Sequence, residues 1–556
     1  MKLPEPQTRT FSSLISEIDK GQIKIPQFQR DFVWTIQKSA GLIDSIIKGY
    51  PIGTFIFWKT KERLRSIRNL GNQILPDAAK GESIDYVLDG QQRLTSLYAC
   101  LKGLSISREN GKKIDDFSEI FINLTAEESD QIVFLDTENK EENSYISVLA
   151  LLTGDFTILA SYPIKYHEKL KLYKNRIESY QYSIILIKEA PIDIATEIFT
   201  RINVGGKPLS LFEIMVAKTF DQEKNFDLSE KFNELIEGLK PLNYETISDA
   251  TVLQVVSLII TKECKRQIIL KIEKEKFIDT WDKAIDSIER TVEYFKGFYR
   301  IPVSQLLPYN ALIVPFSYFF YHHQDKPTGD KQKYLLDFFW RCSLSGRYSS
   351  AVESKLAQDV KRIESILNNK LPSYDWSIDT SKDFIIENGW FSAGRSYIKA
   401  ILSIYAYFQP KSFNDNSIVN ISNYWLKQAN SKNYHHFFPK AYLKKINEDD
   451  FYINHILNIT IVDDFLNKRE IGAKSPAIYM KKFAQTNEDL DSTMKSHLIN
   501  DLNSFGVWEN DYDAFFEERA KVVSREIRKR IIKQDIDKKE QQGLKDDYEE
   551  EATVSE

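Results

Sequence analysis

Apolar side chains follow three successive patterns along the chain. Up to about residue 220, short apolar runs are interleaved with helical spacings, which predicts mixed α and β structure. Leu14 to Ile18 starts a short helix. Lys24-Ile25-Pro26 is extended, because the residue before a proline avoids helical backbone angles. Leu42, Ile43, Ile46 and Ile47 fall on one side of a helix from Ile36 to Lys48. Gly53 to Trp58 and Ile84 to Leu88 read as buried strands, and a helix follows from Gln91 to Leu101. Phe121 to Leu124, Ile132 to Leu135 and Tyr182 to Ile187 are expected to complete one small sheet, ahead of helices at Asp193 to Arg201 and Leu211 to Phe220.

From about 225 to 425 the spacing turns helical. Phe232 to Leu239, Val252 to Ile260, Phe277 to Phe298 and Leu335 to Trp340 carry it most strongly, and Pro327-Thr-Gly-Asp330 is the best loop signal. A histidine-bearing segment occupies about 426 to 510. Phe516, Ala520, Val523, Ile527 and Ile531 then mark one face of a basic amphipathic helix. Beyond Lys533 the composition is that of a solvated, disordered tail.

Composition narrows the classes of function. With 556 residues, 42% of them apolar and 28% charged, the chain has room for two or three globular domains. A net charge of -5 argues mildly against nucleic acid, but nine acidic residues against four lysines from Lys533 to Glu556 account for all of it. Cys100, Cys264 and Cys342 are too far apart for a disulfide framework or a CxxC zinc site, so buried thiols in a reducing compartment are expected. Neither a signal-type N-terminus nor a membrane-length apolar run is present, which predicts a cytoplasmic protein.

The C-terminal third holds the first chemical signal. His435 and His436 are adjacent in Asn433-Tyr-His-His-Phe-Phe-Pro439; Asn458-Ile-Thr-Ile-Val462, Asn467-Lys-Arg469 and Lys474-Ser-Pro476 follow. This set suits phosphodiester hydrolysis. One imidazole serves as general base, having an ordinary pKa near neutrality. The other, with an asparagine amide oxygen, holds a divalent ion that polarises a phosphate oxygen. Neighbours on a strand point to opposite faces, so both imidazoles serve one site only at a bulge or a strand end. The competing reading is a pair of core or surface histidines with asparagines capping turns. His167, His322, His323, His455 and His497 lack such a context and read as structural.

Three further motifs lie in the N-terminal part: Ile25-Pro-Gln-Phe-Gln-Arg30-Asp-Phe-Val-Trp34, Val87-Leu-Asp89-Gly-Gln-Gln-Arg93, and Phe199-Thr-Arg201-Ile-Asn203-Val-Gly205-Gly206. In the second, a strand ends, Asp89-Gly90 turns and a helix begins, which makes an anion site of the free N–H groups. Arg93 adds a fork for phosphate, and Asp89 is placed to hold Mg²⁺ or orient water. The same residues also satisfy a plain Asp-x-x-Gln cap without any ligand. Arg30, flanked by Phe28, Phe32 and Trp34, either meets a ligand or covers a core edge.

These motifs resemble two known families. Residues 10 to 220 are similar to the DUF262 family, whose hallmark DGQQR stands here as Asp89 to Arg93. The histidine segment resembles the HNH pattern of ββα-metal nucleases in its DUF1524 branch. The nine-residue step from Asn458 to Asn467 fits that branch, whereas the 22 residues from His436 to Asn458 make a long connection containing Glu448, Asp449 and Asp450. The resemblance implies His435 and Asn467 as metal ligands, His436 as general base, Asn458 as the residue orienting the loop, and Lys474 as a basic residue touching phosphate. It implies nucleotide contacts from Arg30, Asp89, Gln91, Gln92, Arg93, Arg201 and Asn203.

The fold implied is α+β: a ParB/sulfiredoxin-like nucleotide-binding domain over 1–225, a mostly helical middle over 226–425, an HNH nuclease domain over 426–533, and a disordered acidic tail over 534–556. DUF262 joined to DUF1524 is the layout of GmrSD-type type IV restriction enzymes and of SspE-like, phosphorothioate-sensing defence nucleases. The resemblance therefore implies an NTP-regulated, modification-dependent endonuclease of bacterial anti-phage defence, either nicking or cutting both strands, with nucleoside triphosphatase activity. Its cofactors would be Mg²⁺ or Mn²⁺ and GTP, UTP or ATP, its partner modified phage DNA, and a homo-oligomer is compatible with the layout. The alternative is a nucleotide-responsive DNA-binding regulator or NTPase with an inactive HNH domain.

Overall fold

The alternation Gln-Tyr-Ser-Ile-Ile-Leu-Ile-Lys at 181–188 buries Tyr182, Ile184, Leu186 and Ile187 and makes an inner strand of a five-stranded sheet. The computed structural model describes residues 3–26, 29, 32–64, 66, 69–70, 73–79, 81–108, 113–127, 130–138, 140–202, 209–221, 223–423, 434–462, 471–539, 541 and 544. The chain is a mixed α+β protein and divides into two units, Met1–Leu228 and Ser229–Glu556.

In the first unit the sheet is built from β1 (Glu5–Thr10), β2 (Ile23–Lys24), β3 (Phe55–Thr60), β4 (Ile84–Asp89) and β5 (Gln181–Lys188), in the order β1-β5-β3-β4-β2. β5 pairs antiparallel with β1 and parallel with β3; β4 pairs antiparallel with β3 and parallel with β2. Helix α1 (Phe11–Asp19) begins three residues before the expected Leu14, whereas α2 (Ile36–Ile47) and α3 (Gln91–Lys102) begin as the sequence suggests. Thr10 and Thr35 cap the first two by accepting from Ser13 and Lys38 N–H. Ile43, Ile46 and Ile47 of α2 pack with Leu94, Leu97 and Tyr98 of α3 and with Phe55, Phe57 and Val87 of the sheet in one core. Two more helices, α4 (Ile192–Ile202) and α5 (Leu211–Thr219), follow, the latter opened by a Ser210–Glu213 capping box.

One expectation is corrected here. The strand at 182–187 does not join those near 121 and 132. Phe121–Asn123 and Val133–Phe134 form a separate three-stranded sheet with Tyr145–Ser147. Periodicity identifies a strand, but its partners are set by which apolar face each strand must cover.

The second unit is mainly helical. Its helices include α6 (Asp249–Thr261), α7 (Lys274–Gly297), α8 (Ile313–His322), α9 (Gly329–Leu344), α10 (Val352–Leu367) and α11 (Ser396–Tyr407). α8 is buried along nearly its whole length and packs against α6, α7 and α10. Phe295, Tyr299, Phe316 and Phe339 form an edge-to-face and stacked aromatic cluster beside it. Tyr405 of α11 donates to Ile456 O at 3.2 Å, and Phe391 N–H donates to Asn454 O at 2.8 Å, so the helical stretch and the histidine segment share one unit.

The start of the expected disordered tail is also corrected. Asp535–Lys538 forms a 3₁₀ turn. Asp537 accepts from both terminal nitrogens of Arg341 at 2.9 and 2.7 Å, while Asp337 takes the guanidinium Nε. Gln541 donates to Leu344 O. Composition signalled disorder, yet a buried guanidinium needs a second carboxylate, and the tail supplies it. All three cysteines are buried reduced thiols, their pKa values pushed up by burial.

Candidate active site

In the second unit, β6 (Tyr434–His436) pairs antiparallel with β7 (Ile459–Ile461), setting His435 opposite Thr460 and His436 opposite Ile459. The register is regular, so the two imidazoles leave the ribbon toward opposite faces, with His436 closing its strand. Asn467 lies outside the described residues. Further on, Ser475 and Pro476 open helix α12 (Pro476–Thr486), proline being suited to a first helical position.

Asn458 ties this ribbon together. Fully buried, its Oδ1 accepts from Phe438 N–H at 2.8 Å, and its Nδ2 donates to Phe438 O at 3.0 Å and Ile453 O at 3.1 Å. The turn after His436 is thereby fixed to the start of β7. Phe437 anchors the same turn from below: its ring stacks at 4.8 Å on Phe515 of α13 (Tyr512–Arg528), and its carbonyl accepts from the Tyr479 hydroxyl of α12.

The Nε2 of His436 is shielded from solvent and has no hydrogen-bond partner. Burial, helped by the neighbouring Lys440 ammonium and His435, lowers its pKa to about 3 against the pull of a hydrogen bond with the Asn454 side chain. The ring is therefore neutral at pH 7. His435 is 3% exposed, and its charge would weigh on both His436 and His497.

The remaining histidines are structural, as expected. His455 donates from Nε2 to Ile386 O at 3.0 Å and accepts Leu457 N–H at Nδ1, which fixes its tautomer. His497 donates to Lys411 O at 2.7 Å, and His167 to Tyr162 O at 2.7 Å. His322 and His323 pack edge-on against Tyr318 and Phe319. Lys474 is exposed at the turn before α12. Among the described residues, no three His, Cys, Asp or Glu side chains gather around a point where an ion would sit. His435 is a suitable donor, and the amide proposed to complete the set is Asn467.

In the first unit the DGQQR turn works as a brace. Gly90 adopts φ +90°, and a Cβ there would meet Phe55 Cδ1 at 2.5 Å, so only glycine fits. Arg93 donates to Ile52 O at 2.7 Å and Thr54 O at 2.9 Å, reaches Asp89 at 3.3 Å, and lies 5.0 Å over the Phe55 ring. Gln92 Oε1 accepts from Val33 N–H at 2.9 Å and Trp34 N–H at 3.2 Å. The Gln29 side chain donates to Val87 O. The first and second motifs thus converge on the end of β4, with Gln91 buried in the first turn of α3. Arg30 and Asn203 lie outside the described residues, while Arg201 is exposed at the end of α4 and paired with Glu197 at 2.6 Å.

This convergence has a counterpart among known families. Residues 11–220 match the family model described as GmrSD restriction endonuclease, N-terminal domain. This part of the chain is similar to that domain. The chain is also similar to the uncharacterized protein MJ0686 of Methanocaldococcus jannaschii, at 26% identity over 94% of this chain and 98% of that protein. Among the described residues no helix is long and apolar enough to cross a membrane.

Within the GmrSD-like region, sequence reasoning singled out Arg93 but not the carbonyls of Ile52 and Thr54 that it holds. Gly53, at φ +87° with Arg93 Nη1 only 2.3 Å from where a Cβ would be, was the available signal. Outside that region, two residues beside His436 went unread: Asn454, which bonds it, and Lys440, whose charge it feels. The only hint was the position of Lys440 four residues after His436.

Proposed function

We propose that this chain is a restriction-type DNA endonuclease that cuts through His436 and is regulated by a nucleotide bound near the Asp89–Arg93 turn. The observation that carries the reading is His436 itself: a neutral imidazole with a partnerless Nε2, at the end of a strand whose following turn is clamped by Asn458. The GmrSD match supplies the substrate class, DNA. Within this reading, His436 takes a proton from the attacking water. Asn458 keeps the base in register by holding Phe438, and Lys474 meets a phosphate near the start of α12. His435 and Asn467 would hold Mg²⁺ or Mn²⁺, which when bound supplies positive charge to a phosphate oxygen and to the leaving oxygen.

The nucleotide, GTP, UTP or ATP, would contact Arg30, Asp89, Gln91, Gln92, Arg201 and Asn203. Arg93, whose donors meet the Ile52 and Thr54 carbonyls, shapes the turn on which it rests. The DNA would be modified phage DNA, and cleavage would leave a 5′-phosphate.

The test uses purified full-length protein with plasmid and modified phage DNA, Mg²⁺ or Mn²⁺, and each triphosphate in turn. Cleavage lost in His436→Ala, with the melting curve kept, supports the reading. Phosphate release from a triphosphate with every DNA left intact would instead favour an NTPase whose HNH domain is inactive.

A further inference from the structure

The loop 389–395 is fastened to the ribbon that carries His436. Gly389 O accepts from Ile456 N–H at 2.8 Å, and Phe391 N–H donates to Asn454 O at 2.8 Å. The Phe391 ring lies edge-on to that of Tyr434, the first residue of β6, at 5.3 Å. A Cβ on Gly389 would fall 2.1 Å from His455 Nε2, so the two segments are in direct contact. The loop ends at Arg395, which is the N-cap of α11.

This helix start is buried and short of acceptors. Arg395 is 9% exposed and Ser396 0%. Arginine has no oxygen to offer the first-turn N–H groups, and that turn holds no acid. Arg395 Nε and Ser396 Oγ, both shielded from solvent, have no hydrogen-bond partner. The guanidinium makes one hydrogen bond, from Nη1 to Trp390 O at 3.3 Å, and no ion pair among the described residues. Asp379, a carboxylate whose charge is felt at neighbouring Tyr397, takes Ser381 N–H at 2.7 Å and does not pair with Arg395. Other buried arginines of this unit are balanced. Arg341 has Asp337 and Asp537, Arg347 has Asp359, and Arg519 is held by the carbonyls of Leu457 and His497. A buried guanidinium without a counter-charge, at the positive end of a helix, is the setting that an oxyanion completes. Its several oxygens accept from the guanidinium, the serine hydroxyl and the first-turn N–H groups together. Gly394, next to Arg395, is exposed and gives solutes a way to the loop.

We propose that Arg395, the Ser396 hydroxyl and the first-turn N–H groups of α11 form a phosphate-binding site that takes a backbone phosphodiester of DNA. The choice of DNA rests on the endonuclease reading, whereas the phosphate site does not. Full-length protein is melted across a phosphate series, with chloride of equal ionic strength as the reference. In wild type, phosphate raises the melting temperature along a saturating curve. In Arg395→Gln its midpoint rises about tenfold or more, as expected for loss of a charge-assisted contact. In Ser396→Ala it rises about threefold, for loss of a neutral one. In chloride alone Arg395→Gln melts no lower than wild type, since it removes a buried charge that no carboxylate balances, whereas a purely structural arginine would give a fall. Binding of a fluorescent duplex in EDTA, followed by anisotropy, weakens about tenfold in Arg395→Gln, and the slope of log K against log salt drops by about 1.

A wild-type melting curve that phosphate moves no more than chloride does, or a midpoint unchanged in Arg395→Gln, overturns the proposal whether or not the protein cuts DNA. Should Arg395→Gln fail to fold, Ser396→Ala decides, and an unchanged midpoint there overturns it equally. An Arg395-dependent phosphate midpoint with duplex binding that ignores the substitution overturns the assignment to DNA. The same midpoint in a protein that neither binds nor cleaves DNA keeps the phosphate site and sinks the endonuclease reading.

Discussion

Replacing Asn458 by alanine tests how firmly the turn behind His436 is held. The side chain is fully buried and makes three hydrogen bonds, from Phe438 N–H and to the carbonyls of Phe438 and Ile453. Alanine leaves all three backbone groups facing a small cavity. An unmet buried polar group costs about 1–3 kcal/mol, and partial relaxation of the turn brings the sum to about 3–5 kcal/mol. For a unit of this size that lowers its melting temperature by roughly 5–10 °C. Asn458→Asp is expected to be worse: it keeps the acceptor for Phe438 but turns a second oxygen toward two carbonyls, in a place where a carboxylate is poorly solvated. Differential scanning fluorimetry of the full chain, checked by urea denaturation, reads both variants. A melting temperature within about 1 °C of wild type for Asn458→Ala would show that the amide is not what fixes the turn.

Other outcomes follow from the same geometry. Arg93→Lys reaches one of the carbonyls of Ile52 and Thr54 but not both, so the first unit loses about 1–2 kcal/mol in urea denaturation; an unchanged midpoint would mean that the guanidinium does not brace the turn. Asp537→Asn leaves buried Arg341 with Asp337 as its one carboxylate and lowers stability by about 2–4 kcal/mol, read as a melting shift that Asp537→Glu partly restores. Acid should weaken the second unit. His455 and His497, held neutral by burial at about 4 and about 3, contribute stability that is present above pH 6.5 and lost as pH falls toward 4. Asp337, pushed up to about 6 by burial, works the other way, gaining as pH falls through that value, so the net slope is that of the histidines. A melting temperature that stays flat from pH 7 to about 4.5 would contradict this balance.

Much of the fold was legible where apolar periodicity is strong. The helix Lys274–Gly297 and the strand Gln181–Lys188 lie where spacing placed them. β1, Glu-Pro-Gln-Thr-Arg-Thr, gave no such signal, because an edge strand with polar side chains needs only a partner backbone, which β5 provides. Partners distant in sequence were likewise invisible. Arg93 could be marked as a donor, but nothing linear points to carbonyls some 40 residues upstream. At the candidate site, Asn458 was named through resemblance, and coordinates supply the physical cause, a side chain whose hydrogen bonds all go to backbone groups of the ribbon.

The contact between Asp537 and Arg341 joins positions 196 residues apart. A ribosome making this protein therefore releases α9 with Asp337 beside Arg341 long before the second carboxylate, Asp537, exists. Completion of the second unit is deferred until the stretch around Asp537 has been made and docks. Chains ending before residue 537 would leave the terminal nitrogens of buried Arg341 without that carboxylate and carry a less stable helical layer.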